Sequence, residues 1–299
     1  MSKDPLREIP GAPSSPRPAD LYERFCALSD EDWEKLWVEH AAAPDSRPDL
    51  PGFPSEEVQR RIHGTVFERA MRGALALRYH AFRSLRRVVG KPIVPDMRVL
   101  DFGCGWGRVL RVLLKDFHTS GLHGTDLDPE VIELARELLP EVSFAVNDRL
   151  SPLVYRDRSF DLIFVNSVFS HLAERNFWFW IEELTRVLEP GGVLVFTSWG
   201  QGLLDIAKQV FESKTLEYAW QQNILDAFPS YDRLRDSYLG GEFIFGGASG
   251  GALLPETDFG IALVPRRYFE RNAKGLILKD FLDDPQQFTQ TIFVVQKEA

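Results

Sequence analysis

From Asp96 to Ser198, short apolar runs alternate with segments that carry apolar residues at helical spacing. One such segment places Val131, Ala135 and Leu138 on the same side of a helix. This alternation predicts an α/β fold in which helices cover both faces of a doubly wound, mostly parallel sheet. The runs predicted to be strands are Arg98–Phe102, Leu122–Asp126, Val142–Val146, Phe160–Val165 and Val193–Ser198.

Two further apolar runs near the end of the chain extend this sheet. Gly275–Phe281 and Gln290–Gln296 are separated by a polar loop, which favours an antiparallel hairpin at the sheet edge. We therefore predict a seven-stranded sheet whose last strand is antiparallel. Between about residues 200 and 259 the alternation breaks down, and we predict a helical-to-irregular insertion there.

The chain ahead of the sheet divides into two predicted parts. Residues 1–18 contain five prolines and few apolar residues, which predicts a disordered tail. Residues 19–95 predict an N-terminal helical cover. Residues 96–299 then form the α/β domain, with the insertion inside it.

Residues typical of helix N-termini support the prediction of a helical cover. Ser29 precedes three acidic residues and an apolar face that carries Trp33 and Trp37, so we predict that it caps a helix. Ser55 is predicted to cap a second helical region, which Gly64 interrupts and which continues to about residue 89.

The composition and net charge of the chain argue against several classes of protein. No apolar run approaches the roughly 18 residues that cross a bilayer, and the first residues lack the apolar core of a secretory signal. Two cysteines, Cys26 and Cys104, cannot form a disulfide framework, so we predict a cytoplasmic protein. The net charge of −9 argues against a nucleic-acid partner, because that binding depends on clustered Lys and Arg.

One basic stretch departs from this average. Between Arg60 and Lys91 there are nine Lys or Arg residues and a single acid, Glu68. One interpretation is a solvated helical face that is paired with acids elsewhere. The other is a basic wall that holds an anionic ligand.

The most specific motif is VLDFGCGWGRVL, which spans Val99 to Leu110. A strand leads to Asp101, and three glycines in a G-x-G-x-G spacing then form a tight turn into a helix. This spacing differs from the G-x-G-x-x-G pattern of dinucleotide binding, which argues against an NAD-dependent oxidoreductase. An acid directly before the loop suits a ligand with a positive ammonium group better than a phosphate.

These residues resemble the first motif of class I S-adenosylmethionine-dependent methyltransferases. Later segments resemble that family in order and spacing: GTDLDP at 124–129, Asn147-Asp148, FDLIFVNS at 160–167 and ELTRVLEPGG at 183–192. The resemblance implies a Rossmann-like fold and S-adenosylmethionine as cofactor. The residues that it implies for cofactor binding are Asp101, Phe102, Gly103, Cys104, Gly105, Gly107, Asp126, Leu127, Asp148 and Asn166.

Several of these residues have a specific expected role. The Asp126 carboxylate is expected to accept hydrogen bonds from both ribose hydroxyls, and Leu127 to pack on adenine. Asp148 is expected at the adenine amino group, although an Asn-Asp pair is also ordinary loop chemistry. Asp128, in contrast, is predicted to cap a helix that has Pro129 in its first position.

The candidate catalytic residue is His171, which follows the predicted fourth strand. If the methyl acceptor is a hydroxyl, His171 is the preferred base to remove its proton. A packing or hydrogen-bonding role is the alternative. Trp199, just after the fifth strand, lines the acceptor pocket in one interpretation and belongs to the core in another.

The motifs that the sequence lacks argue against some classes of methyl acceptor. An N-P-P-aromatic motif after the fourth strand resembles the feature of methyltransferases that act on exocyclic amines. This sequence has Asn166-Ser-Val-Phe169 there instead, which argues against such acceptors. No histidine and carboxylate set has metal-binding spacing, and Asp283-Asp284 is predicted to be a solvated turn. We predict O-methylation of a small molecule, a sugar or glycan precursor, or a secondary metabolite. The alternatives are methylation of protein or RNA, and a cofactor-binding partner subunit without catalytic activity.

Overall fold

A computed structural model describes residues 20–44, 47–214, 216–250 and 253–299. The chain forms two compact units that divide between Ile163 and Phe164. The predicted disordered tail, residues 1–18, lies outside the described residues. The predicted division at residues 95 and 96 stays a prediction about domain organisation.

Helices of the cover precede the strands of the first unit. Its helices are α1 (Leu21–Phe25), α2 (Asp30–Ala42), α3 (Glu56–His63), α4 (Phe67–Ser84), α5 (Arg108–Leu113) and α6 (Pro129–Leu138). Its strands are β1 (Val99–Phe102), β2 (Leu122–Asp126) and β3 (Ser143–Val146), and β4 (Phe160–Val165) ends in the second unit.

The second unit contains the remaining regular elements. Its helices are α7 (Glu174–Val187), α8 (Gln201–Ser213), α9 (Gln222–Ala227), α10 (Tyr231–Gly240) and α11 (Arg266–Asn272). Its strands are β5 (Leu188–Ser198), β6 (Ile244–Gly247), β7 (Gly260–Leu263), β8 (Leu276–Leu282) and β9 (Thr291–Lys297).

The predicted fold class is confirmed. Seven strands form one sheet in the order β3-β2-β1-β4-β5-β9-β8. Strand β2 pairs in parallel with β1 and β3, whereas β9 pairs antiparallel with both β5 and β8. The last strand is therefore antiparallel, and it forms the predicted hairpin with the edge strand β8.

The cap and the apolar face that the sequence predicts for the first long helix of the cover are both present in the structure. The Ser29 hydroxyl accepts a hydrogen bond from the Asp32 N–H at 3.0 Å, which satisfies one free donor at the start of α2. Trp33 and Trp37 are fully buried, and the Trp33 indole donates to the Val112 carbonyl of α5 at 2.9 Å. The cover is thus packed onto the first helix after β1.

A buried glutamine fixes the turn between α3 and α4. The Gln59 amide donates to the Pro54 carbonyl at 2.9 Å and accepts from the Phe67 N–H at 2.7 Å. Gly64 ends α3 in the left-handed conformation, and Phe67 also has a positive φ, of 41°. A left-handed aromatic residue is strained, so the glutamine bonds hold a backbone path that the sequence alone disfavours.

Several residues of the basic stretch are paired with acids of the same unit. Arg60, Arg61 and Arg72 form ion pairs with Glu56, Asp128 and Glu68 respectively. The buried Arg78 guanidinium contacts Asp116 at 2.6 Å and Asp30 at 2.9 Å. These pairs fit the interpretation of the stretch as a solvated, paired helical face.

Two details of the second unit differ from the sequence predictions. Strand β5 begins at Leu188, not at Val193, because the chain continues in extended conformation directly from α7; its pairing with β9 still begins at Val193. The predicted insertion is more regular than expected. Helices α8 to α10 and the β6–β7 pair enclose their own apolar core, which includes Leu203, Ile224 and Leu263.

Close packing at Gly124 yields a test of the fold. A Cβ atom there would stand 2.7 Å from the Phe144 ring and 2.9 Å from the Cys104 sulfur. We predict that Gly124→Ala lowers the free energy of unfolding by about 1–3 kcal/mol, measured by urea denaturation. Gly240→Ala in α10 is the matched control, because nothing lies within 4 Å of its Cβ position. An equal loss of stability in both variants would contradict the packing argument.

Candidate active site

The glycine-rich loop after β1 is a tight turn that only glycines fit well. Gly103, Gly105 and Gly107 have φ values of 71°, 53° and 79°. The N–H groups of Gly103 and Cys104 both donate to the Thr125 carbonyl of β2, at 2.8 and 2.9 Å. These bonds draw the loop against the end of β2, and neighbouring side chains pack so closely on Gly105 and Gly107 that a Cβ atom would not fit there.

Asp126 joins the end of β2 to this loop. One carboxylate oxygen accepts from the Gly105 N–H at 2.9 Å, and the other accepts from the Asp128 N–H at 3.1 Å. Burial raises the pKa of Asp126, and the backbone donors oppose that rise because they stabilise the ionised form. Each carboxylate oxygen retains acceptor capacity for a further donor.

Asp101 is a buried acid without a partner. Its side chain is 1% exposed, and neither carboxylate oxygen has a hydrogen-bond partner among the described residues. Burial raises its pKa to about 7, although the positive charge of Arg108 opposes the rise. An orphaned carboxylate at the mouth of a glycine loop fits the ammonium group of an amino-acid ligand. The residues present therefore fit the methionine part of S-adenosylmethionine.

Two other predicted residues of the loop face inward. Phe102 and Cys104 are both buried, and the Cys104 thiol lies 3.4 Å from the Gly105 carbonyl. Burial raises the pKa of Cys104 well above its ordinary value, so this thiol stays protonated. Their side chains support the loop, and their cofactor contact stays a prediction.

Asn147 and Asp148 directly follow β3, and Asn147 bonds to the backbone of Asp126. The Asn147 N–H donates to the Asp126 carbonyl at 3.0 Å, and its Oδ1 atom is buried without a partner. Asp148 is exposed, and its carbonyl accepts from the Asn147 amide. Leu127 is half-buried next to Asp126. The contact of Asp148 with the adenine amino group stays a prediction.

The cover contributes residues that the sequence analysis missed. A Cβ atom at Gly105 would stand 2.8 Å from His63 Cε1 and 3.0 Å from Ile62 Cγ2. The end of α3 therefore lies directly on the glycine-rich loop. No local pattern indicates this contact, because the two segments are far apart in the chain.

The remaining predicted site residues, Asn166 and His171, belong to the second unit. His171 Nδ1 lies 2.8 Å from the Gly260 carbonyl, and the imidazole ring stacks on Phe259 with centroids 4.9 Å apart. A carbonyl oxygen only accepts, so Nδ1 carries the proton and Nε2 of the neutral ring has the free lone pair. Burial lowers the pKa of His171, whereas the bond to Gly260 raises it.

A buried amide holds the segment that leads to His171. Gln290 donates to the hydroxyls of Ser167 and Ser170 at 3.0 and 3.2 Å and accepts from Thr197 at 2.6 Å. The same Thr197 hydroxyl accepts from the Ser167 N–H at 2.8 Å. Ser167 has a positive φ of 61°, so this network stabilises an uncommon backbone conformation.

The structure gives different outcomes for Trp199 and for the pair Asp283-Asp284. Trp199 is half-buried against the core of the insertion and stacks on the exposed Trp220 at 5.9 Å. The prediction of a solvated turn was wrong for Asp283: its carboxylate accepts from the Gln201 N–H at 2.8 Å and from Tyr238 at 2.6 Å. Asp283 thus holds the start of α8. Asp284 is half-buried, and it accepts from the Gln286 and Gln287 N–H groups in the predicted turn.

Two searches of the described residues gave negative findings. Across the ranges that the structure describes, no group of three or more His, Cys, Asp or Glu side chains is placed to hold a metal ion. Within the same ranges, none of the helices combines the length and apolar character needed to cross a bilayer.

Comparison with known proteins places the loop within a defined domain. A family model described as a methyltransferase domain matches residues 100–194. The chain is 36% identical over 110 residues to 2-methyl-6-phytyl-1,4-hydroquinone methyltransferase of Synechocystis sp., which covers 36% of this chain and 33% of that protein. It is 30% identical over 169 residues to malonyl-[acyl-carrier protein] O-methyltransferase of Methylococcus capsulatus, covering 53% and 58%. This chain thus spans less than two thirds of either relative.

Solved structures share the fold. A protein from Pyrococcus horikoshii OT3 matches with a TM-score of 0.50 and 17% identity, over 81% of this chain and 96% of that chain. A putative S-adenosylmethionine-dependent methyltransferase from Listeria monocytogenes matches with a TM-score of 0.50 and 11% identity, over 76% and 100%. The family model thus identifies a methyltransferase domain within residues 100–194, and the solved structures share its fold.

Proposed function

We propose that this protein transfers a methyl group from S-adenosylmethionine to a hydroxyl group of a small molecule. The observation that supports cofactor binding most directly is the buried Asp101 carboxylate, which has no partner and follows the strand into the glycine-rich loop. A buried acid in this state is costly unless a cationic group completes it.

The chain's own residues would bind each part of the cofactor. Asp101 would hold the ammonium group, the loop glycines would allow close approach, and Asp126 would accept from the ribose hydroxyls. When bound, the cofactor supplies an activated methyl group on a sulfonium. The protein then has to align the acceptor and exclude water, which is chiefly a matter of positioning.

His171 is the proposed base for the acceptor hydroxyl. Its Nδ1–H donates to the Gly260 carbonyl, which fixes the tautomer and leaves Nε2 as the proton acceptor. Because burial lowers its pKa, the imidazole is neutral at neutral pH and ready to accept a proton. The stack on Phe259 and the Gln290 network hold the ring and its segment in place.

A small-molecule acceptor is the substrate class that the comparisons favour. The relatives include enzymes named for a hydroquinone, for a malonyl group on a carrier protein, and for tocopherol in Arabidopsis thaliana, the last 26% identical over 218 residues. A ribosomal protein L11 methyltransferase of Thermosipho africanus is also similar, at 30% over 134 residues. An acceptor screen should therefore contain hydroxylated and carboxylated small molecules first, including anionic ones, and protein substrates second.

Calorimetric titration with S-adenosylhomocysteine tests the cofactor. We expect binding to the wild-type protein, none with NAD, and affinity more than tenfold lower in Asp126→Ala, which lacks the acceptor for both ribose hydroxyls. Asp128→Ala is the matched control. Its carboxylate caps α6 through the Glu130 N–H, so it should lose stability but keep its affinity within about twofold. Equal affinities of wild type and Asp126→Ala would contradict the assigned role.

The raised pKa of Asp101 predicts a pH-dependent affinity. With a pKa of about 7, the free protein carries this acid largely protonated at pH 6 and ionised at pH 8. An ammonium ligand binds the ionised form and releases the proton. Affinity for S-adenosylhomocysteine should thus rise with pH up to about 8, changing by up to about tenfold per unit below the pKa. Asp101→Asn should bind weakly at both pH values, and a flat wild-type profile would exclude this titration.

Catalysis by His171 is tested by separating turnover from cofactor affinity. We predict that His171→Ala lowers turnover of an acceptor found in the screen by about 10²–10⁴-fold and leaves affinity for S-adenosylhomocysteine within about twofold. Phe259→Leu removes the stacking partner but keeps the base, so its turnover should fall only a few-fold. Similar losses of turnover and of thermal stability in both variants would instead favour the packing role.

A further inference from the structure

A pocket of about 330 Å³ lies within the second unit, between the segment after α9, helix α10 and the start of β6. Its volume is in the range of roughly 300–1,000 Å³ that small-molecule sites in proteins have. Neither the proposed base, His171, nor any residue of the glycine-rich loop lines it. The pocket is therefore a candidate site for a ligand that the proposed methyl transfer does not account for.

Six of the nine residues that line the pocket are apolar, and several of them keep apolar surface open to water. Phe228 and Leu234 are buried, whereas Phe243, Ile244 and Phe245 at the start of β6 are only half-buried. Covering apolar surface in a concave site is favourable, so the pocket favours a ligand with an apolar body. The phenylalanine rings in the lining favour a ring over a flexible chain, because aromatic pairs add to the gain from burial.

Arg233, in the first turn of α10, gives the pocket a positive charge. Its side chain is exposed, and its guanidinium forms no ion pair or hydrogen bond with the residues that the structure describes. The neighbouring acids are engaged elsewhere, because Asp232 and Asp236 both contact the Arg235 guanidinium at 2.8 Å. The Arg233 guanidinium is thus available to an anion that enters the pocket.

The pocket lining also contains an acid, Glu242. Its Oε2 atom accepts from the Ser237 hydroxyl at 2.8 Å, and its N–H donates to the Ser237 carbonyl at 3.1 Å. These bonds hold Glu242 on α10 and away from an ion pair with Arg233. A negative charge in the lining repels a doubly charged anion more than a singly charged one. A single carboxylate is therefore favoured over a phosphate or a dicarboxylate.

We infer that this pocket binds a small aromatic monocarboxylate, with the carboxylate on the Arg233 guanidinium and the ring against Phe243 and Phe245. A planar guanidinium can donate to both oxygens of a carboxylate at once, which gives the contact its geometric specificity. The inference goes beyond the proposed function and does not rest on it, because none of these residues belongs to the proposed cofactor or base positions.

The test compares two ligands with the same apolar body. The carboxylate is 3-phenylpropionate, and its uncharged partner is 3-phenylpropanamide. Their dissociation constants are measured by NMR titration of the full chain at one pH and salt concentration. The ratio of the two constants reports recognition of the charge, because a partial loss of folded protein affects both ligands equally. We expect wild type to bind the carboxylate at least about tenfold more tightly than the amide.

Three variants separate the charged part of the pocket from the apolar part. Arg233→Gln keeps an N–H donor but lacks the charge, so it should bind the two ligands within about twofold of each other. Arg267→Gln is the matched control, because it removes an exposed arginine of the same unit that does not line the pocket, and it should keep the wild-type ratio. Phe245→Ala removes a ring of the wall and should weaken both ligands several-fold without changing their ratio.

Two further titrations locate the ligand relative to the proposed site of methyl transfer. His171→Ala, and wild type saturated with S-adenosylhomocysteine, should each bind 3-phenylpropionate within about twofold of the free wild-type protein. Equal affinity of wild type for the carboxylate and the amide, or an unchanged ratio in Arg233→Gln, would overturn the inference. Loss of 3-phenylpropionate binding in His171→Ala would also overturn it, because the carboxylate would then lie at the proposed base. Failure to bind S-adenosylhomocysteine would contradict the proposed function alone.

Discussion

The first unit depends on the turn by which the chain leaves β1. Three residues within five, Gly103, Gly105 and Gly107, take left-handed conformations, which side chains with a Cβ atom rarely adopt. The turn brings backbone N–H groups against the end of β2 and the Gly105 N–H onto Asp126. It also leaves Asp101 buried beneath the loop without a donor of its own. The geometry that makes room for a ligand is thus the same geometry that leaves an acid unsatisfied.

An unsatisfied buried charge reduces the stability of the free protein, and such groups concentrate at functional sites. Buried polar atoms without a partner among the described residues of this unit occur in Asp101, Arg108 and His63 around the loop, and also in Trp37 and His40 of the cover. The buried pair of Arg78 with Asp116, away from the loop, is in contrast fully hydrogen-bonded. The Asp101 carboxylate, with neither oxygen partnered among the described residues, fits a site that an ammonium group completes.

In the second unit, by contrast, the polar groups of Gln290 and Asp283 have hydrogen-bond partners. The Gln290 amide uses its donors and its acceptor on Ser167, Ser170 and Thr197, and Asp283 accepts from three donors. Satisfied buried networks of this kind rigidify a segment. The segment that they hold leads to His171, whose ring is fixed through Nδ1 and keeps Nε2 as an acceptor. The second unit thus holds His171 in place and leaves its Nε2 atom as the proton acceptor that the proposed base requires.

By itself, the sequence determined the strands of the seven-stranded sheet to within a few residues, the caps of the cover helices and the glycine loop with Asp126, because these follow from spacing over a few residues. The pair Asn147-Asp148 also follows from local sequence, and the structure adds that the Asn147 N–H bonds to the Asp126 carbonyl. Only the tertiary structure set His63 over Gly105 and gave Asp283 its partners. Contacts between segments distant in the chain depend on how helices and strands pack and on which polar groups that packing buries, and no local pattern records either.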